Sequence, residues 1–138
     1  MSAAELTGDE VGRLRLALEG VPYARLLGIE LVSAARGEAT LAFETREELL
    51  RMGGIMHGGA LVSLLDSAAA FAVLTLEGAS DRTVTIDLNV HFLRPVSAGR
   101  VEARARVLRE GRRVAIITVE AADSGGRLIA LATTTYIK

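Results

Sequence analysis

The chain contains no cysteine, which removes disulfide frameworks, thiolate metal sites and cysteine nucleophiles from consideration. Tryptophan is absent and aromatic residues make up only 4% of the sequence, so little is available to stack on nucleic-acid bases. Neither sign of charge dominates. Sixteen basic residues stand against 17 acidic ones, a net charge of -1, and nothing electrostatic calls for a nucleic-acid partner. Of the basic residues only Lys138 is a lysine, and no function is read from that bias. The most apolar stretch, residues 60–76, falls short of a bilayer span and carries Asp66 near its centre. A buried core helix suits it better than a membrane, and no membrane partner is expected. The first ten residues are acidic and lack the apolar segment of a signal peptide, so the cytoplasm is the expected location. What is present is 138 residues, half of them hydrophobic, enough for one domain with a real core.

Residues 1–20 read as an N-terminal leader and a short helix, and 21–138 as a single domain. Residues 1–8 look loose. From Asp9, the expected cap, Val11, Leu14 and Leu18 recur at helical spacing until Gly20. A turn of helix over 22–27 stops at Gly28, and 29–35 and 38–45 read as two strands joined around Gly37. A short helical turn follows at 47–51. Residues 58–77 form the one long helix. It is apolar on nearly every side, as suits an element wrapped by the rest of the chain. Beyond it the period changes from 3.6 to 2. Over 83–94, Val84, Ile86, Leu88, Val90 and Phe92 face one way and Thr85, Asp87, Asn89 and His91 the other. Residues 100–110, 113–123 and 127–137 add three strands joined by tight turns, which predicts an antiparallel meander. The fold class is α+β, an antiparallel sheet wrapped around a long central helix.

At the start of that helix, GGIMHGG (residues 53–59) crowds four glycines around one histidine. Two readings stand. Glycine pairs before a helix often serve only a sharp turn, and a lone histidine is often a packing residue. In the other reading Gly58 and Gly59 open the helix, and their N–H groups point at an oxygen carrying partial negative charge. Competing glycine motifs fail. A dinucleotide fingerprint needs a strand–helix–strand unit, and the second half of the chain is all strand. A phosphate loop needs a lysine that is not there, and no G-x-S-x-G elbow exists. His57 and His91, the only histidines, have no helical pairing to make a zinc site, and no metal or other cofactor is expected.

Asp66 is a lone acid in an apolar helix, where a carboxylate needs a partner, a proton or a task. Ser63 and Ser67 add some polarity nearby. The bland reading is a structural aspartate; the functional one is a general base or nucleophile. Eight residues separate it from Gly58, roughly 12 Å along a helix axis. The helix dipole acts mainly within the first turn. Nor can Asp66 easily reach a carbon whose oxygen sits on the N–H groups of its own helix. If both act on one substrate, two copies of the chain contribute.

Gly54, His57, Gly58, Gly59 and Asp66, in the pattern G-x-x-H-G-G with an acid nine residues after the histidine, resemble the PaaI-type acyl-CoA thioesterases of the hotdog fold. Residues 83–95, TVTIDLNVHFLRP, followed by Gly99, are similar to that family's next strand, and the resemblance runs from about Tyr23 onward. It implies a hydrolase that splits acyl-CoA into free acid and CoA, as a homodimer or homotetramer with sites at the dimer interface. By the same resemblance the Gly58 N–H polarises the thioester carbonyl, His57 helps to position it and Gly59 lies against the substrate. Asp66 activates water or attacks directly, and the Thr85 hydroxyl holds the water. One residue departs from the pattern. Six positions before the histidine the family carries Asn, or Gln in a sister group, whereas this chain has Arg51, and its only asparagine is Asn89. Three versions of Arg51 stand. It takes the place of the amide without offering an acceptor, it pairs with Asp66 across the interface, or, the version ranked first, it turns outward to a CoA phosphate and keeps its charge in water. Arg94, Arg109, Arg112 and Arg113 are further phosphate candidates, because a guanidinium forks onto phosphate oxygens. Arg112 and Arg113 fit plain solvation of a hairpin equally well, and Asp87 and His91 are assigned to a polar sheet face. Thr85 points away from the Ile86 side. Either the pocket lies on that face at a dimer seam or a bulge re-aims the residue. Two other classes stand beside the hydrolase: a non-catalytic acyl-CoA-binding hotdog protein, and an acyl-thioester hydratase, whose usual motif differs.

Overall fold

The computed structural model describes residues 3–138, so residues 1 and 2 of the expected leader lie outside the described residues. Within the leader, the Ala4 carbonyl accepts from the Arg36 N–H at 2.8 Å. Helix α1 (Gly8–Glu19) is capped by Thr7, not by Asp9. The Thr7 hydroxyl accepts from the Glu10 N–H while the Glu10 carboxylate accepts from the Thr7 N–H. That reciprocal pair satisfies two donors that a helix start would otherwise leave unpaired, which Asp9 could not do from inside the first turn. Leu14 and Leu18 are the side chains α1 buries. Helix α2 (Pro22–Leu27) has proline at its first position and ends on Gly28, whose φ of 71° lies in the left-handed region.

Strands β1 (Glu30–Ala35) and β2 (Glu38–Glu44) form a hairpin whose turn, Arg36 and Gly37, reaches the far end of the long helix α3 (Gly58–Leu74). There the Arg36 guanidinium donates to the Thr75 carbonyl, and the Gly37 N–H donates to the Thr75 hydroxyl at 2.7 Å. The same hydroxyl donates back to the Ala72 carbonyl at 2.6 Å. These bonds consume the groups that would extend the helix, so it ends three residues before the expected Glu77.

Strands β3 (Val84–Phe92), β4 (Arg100–Glu110), β5 (Val114–Ala122) and β6 (Leu128–Ile137) complete a six-stranded antiparallel sheet in the order β1-β2-β4-β5-β6-β3. Only β4, β5 and β6 form the expected meander. β3 does not pair with β4; it lies on the opposite edge, against β6. The connection explains this. Pro95 has no N–H to continue a ladder. The next residue, Val96, is buried and its carbonyl accepts from the Met56 N–H at 2.6 Å, while the Gly99 carbonyl accepts from the Thr45 N–H at 2.9 Å. The segment therefore crosses the molecule past the loop that precedes α3.

The sheet wraps α3. Leu64, Leu65, Ala68, Ala69, Ala72 and Val73 have no exposed surface, and opposite them the sheet offers Ala103, Ala105, Ala115 and Ala121, equally buried. Small side chains on both sides let helix and strands approach closely, and the fit is dense enough that a single added methylene would be felt. No helix of the described residues is long and apolar enough to cross a membrane.

Candidate active site

The loop before α3 is built for a reversal. Gly53 and Gly54 have φ of 88° and 73°, a region that side chains rarely tolerate, and the Arg51 N–H donates to the Ile55 carbonyl at 2.8 Å across the turn. His57 then caps the helix. Its Nδ1 accepts from the Gly59 N–H at 2.8 Å, which leaves Nε2 as the ring atom carrying the proton. A side chain at Gly59 would place its first carbon 3.0 Å from that Nδ1, so the glycine is set by the cap beneath it. The donors pictured as a free pair at Gly58 and Gly59 are thus reduced to one. The N–H groups of Ala60 and Leu61 turn to the His57 carbonyl, and among the described residues that of Gly58 meets no acceptor. Gly58 lines a cavity of about 310 Å³ together with Arg51, Met56, Phe92, Arg94 and Val96. A carbon added at Gly58 would lie 3.3 Å from the Phe92 ring, so any side chain there narrows the cavity.

Asp66 lies two turns further along α3, half-buried. Thr85 reaches it after all. Thr85 stands opposite Tyr136 and Asp87 opposite Thr135, so Ile86 is an extra residue, a bulge that reverses the alternation expected for this strand. Thr85, Leu88 and Val90 are consequently half-buried, whereas Val84 and Ile86 are 57% and 51% exposed. The Thr85 hydroxyl donates to Asp66 Oδ1 at 2.9 Å. A third residue, which the motif reading overlooked, joins them. Tyr136 is 2% exposed, and its hydroxyl is 2.5 Å from Asp66 Oδ1 and 2.7 Å from the Asp66 carbonyl oxygen. Burial, and after it the bond to Asp66, pushes the Tyr136 phenol far above the usual tyrosine range, so it serves as a donor throughout the working range of pH. The signal was available in sequence: β6 turns Ala130, Ala132, Thr134 and Tyr136 to one face, and a buried tyrosine oxygen needs a partner.

The arginines divide into two groups. Arg51 is exposed, bonded through Nη1 to the Met52 carbonyl at 2.5 Å, and Arg94 is exposed, bonded to the Leu128 carbonyl at 2.7 Å; both stand at the cavity beside Gly58. Arg112 and Arg113 occupy the β4–β5 turn, at the end of the sheet where Val114, Ile137 and Val84 align. Within one chain they lie with the Asp66 end of β3, not with the Gly58 end. Asp87 and His91 are exposed along β3, as is Asn89. A larger groove of about 590 Å³ runs over β1, β2, β4 and β5, lined by Glu38, Glu102, Arg104 and Glu120 among others, away from both Gly58 and Asp66.

Residues 53–130 match the family model described as the thioesterase superfamily. The medium/long-chain acyl-CoA thioesterase YigI of Salmonella typhimurium is 33% identical, covering 98% of each chain. Among solved structures, a mutant of the phenylacetic acid degradation protein PaaI from Thermus thermophilus is 39% identical with a TM-score of 0.79, covering 86% of this chain and 99% of that one. The E. coli PaaI protein is 25% identical with a TM-score of 0.86, covering 94% of both. The chain therefore belongs to the thioesterase superfamily, as a thioester hydrolase of the PaaI type with the hotdog fold.

Proposed function

We propose that the chain hydrolyses acyl-CoA thioesters to free acid and CoA, in sites shared by two chains. The observation that carries this reading is the pair of half-sites on α3: an unpartnered Gly58 N–H at its start, and Asp66 two turns on, held by Thr85 and Tyr136. One thioester cannot span both on one helix. The open edge of β3, with Val84, Ile86 and Phe92 about half exposed, is a ready template for a second copy. Two β3 strands pairing antiparallel about their midpoint set the Thr85 end of one against the Phe92 end of the other. Asp66 of one chain then approaches Gly58 of its partner. The same pairing gathers Arg51 and Arg94 of one chain with Arg112 and Arg113 of the other, four guanidiniums for the CoA phosphates.

In that site the Gly58 N–H and the positive end of the helix take up charge developing on the carbonyl oxygen. As base, Asp66 accepts a proton from water whose oxygen forms the new C–O bond. The C–S bond then breaks, and the sulfur leaves with that proton. As nucleophile, Asp66 would bond to the carbon as the C–S bond breaks and CoA leaves as thiolate, giving a mixed anhydride. Water then adds to that anhydride, its C–O bond to Asp66 breaks, and the free acid, the Asp66 carboxylate and CoA carrying water's proton result. His57 acts through the helix start it caps, and Gly59 through the bond it gives that cap. The test is steady-state hydrolysis of aromatic and aliphatic acyl-CoAs by the parent and by Asp66→Asn. That variant still offers Thr85 and Tyr136 an acceptor, so its melting temperature should hold while turnover falls on the order of a hundredfold or more. A variant as fast as the parent would make Asp66 structural.

A further inference from the structure

We infer that Tyr136 is a positioning residue for Asp66: with Thr85 it fixes one carboxylate oxygen and leaves the other as the single atom presented to a thioester. The inference rests on the hydrolase reading above and adds a residue to it. Both hydroxyls converge on Oδ1, Thr85 at 2.9 Å and Tyr136 at 2.5 Å. Oδ2 takes no donor among the described residues, and it is not sealed from solvent. The two oxygens of one carboxylate therefore have different tasks. A phenol has a single proton, and here it is aimed between Oδ1 and the Asp66 backbone carbonyl, 2.7 Å away. That geometry ties the side chain to its own helix backbone as well as to the sheet. Turning the carboxylate would break two bonds at once.

The support for Tyr136 is rigid. It comes from β6, which is paired along its length on both sides, with β5 and with β3, and its ring is buried in the core. Thr85 stands directly opposite it in the ladder, so the two donors are held in register by the sheet itself. The phenol keeps its proton far above the usual tyrosine range, which makes it a fixed donor and leaves proton transfer to Oδ2. Orientation of this kind matters because a small misplacement of a reacting group can cost about a hundredfold in rate.

Tyr136→Phe removes one oxygen and keeps the ring. Acyl-CoA hydrolysis is measured for the parent, Tyr136→Phe, Asp66→Ala and the double variant, each with a thermal melt. In Tyr136→Phe kcat should fall about ten- to a hundredfold with KM changed less than about twofold, because binding groups are untouched and only the attack is misaligned. The double variant should be no slower than Asp66→Ala. An unchanged kcat would overturn the inference, and so would a rise in KM matching the loss of kcat. Loss of the cooperative melt, or further slowing beyond Asp66→Ala, would assign Tyr136 to packing and overturn it equally. A parent that cleaves no acyl-CoA overturns the hydrolase reading and this inference together, whereas an active parent with an equally active Tyr136→Phe sinks only the inference.

Discussion

Arg51 stands where the resemblance to PaaI-type thioesterases leads one to expect Asn, and its position allows a definite expectation. It is exposed at the rim of the Gly58 cavity, where a cation keeps its charge in water and still reaches an anionic ligand. Arg51→Asn should raise KM for acyl-CoA several-fold, on the order of one lost charged contact, and leave kcat nearly as it was. Faster turnover in that variant would mean instead that the arginine obstructs the chemistry. Tyr136 gives a second residue-scale expectation, in pH. Its phenol sits above the usual range in the fold and returns to about 10 when the chain unfolds. The native state therefore retains a proton that the unfolded chain releases in alkali. The associated stability is fully present below about pH 10 and is lost as the pH rises beyond it. Denaturant melts between about pH 8 and pH 11 should show the parent losing stability more steeply than Tyr136→Phe, and parallel curves would contradict this.

At the scale of elements, the long helix and the point where it starts were legible because their signals are local. A long, mostly apolar run marks α3, and glycines mark the reversal ahead of it. That His57 would spend its ring nitrogen on Gly59 was not readable, since a histidine gives no capping signature of the Ser, Thr, Asp or Asn kind. Substituting it tests the assignment: His57→Ala should cost about 1 kcal/mol of stability and His57→Asn much less, in equilibrium unfolding. Equal losses would mean that the ring matters for something other than the cap. Strand β3 marks where sequence periodicity runs out. Alternation counted from Val84 sends Thr85 outward, and one extra residue at Ile86 reverses the parity of everything before it. A bulge leaves no trace in composition, so Thr85 could be placed by family likeness but not by counting. The place of β3 beyond β6 was hidden for a related reason. Strand neighbours are chosen by the connection, and the path through Val96 depends on contacts far apart in sequence.

For the whole molecule the expectation is an assembly of at least two chains, with activity that depends on it. Light scattering under assay conditions should report a dimer or a larger multiple, and a monomer that remains active would remove the shared-site geometry. Mixing is a sharper test. Asp66→Ala and Gly58→Val are each expected to be inactive, the second because a side chain at Gly58 meets the Phe92 ring. A dimer with one chain of each kind has one site built from two intact halves. Refolding the two together at equal amounts should restore up to about a quarter of parental activity, since about half of the dimers are mixed and each has one working site of two. No recovery would place each site within a single chain.

The two halves of α3 also differ in how freely they can change over descent. Around Gly58 the walls come from the turn holding Arg51 and Ile55, from Phe92 at the end of β3, and from the connection running from Leu93 to Val96, which with the turn lies outside the regular ladder. Around Asp66 the supports are Thr85 and Tyr136, ladder partners in a close-packed sheet. In the proposed site, drift in the first set would change how the acyl-CoA is held and leave Asp66 in place. Drift in the second strikes the carboxylate and the core together. Relatives of this chain are therefore expected to diversify in substrate through residues 51–55 and 92–96, while their chemistry stays tied to the interior.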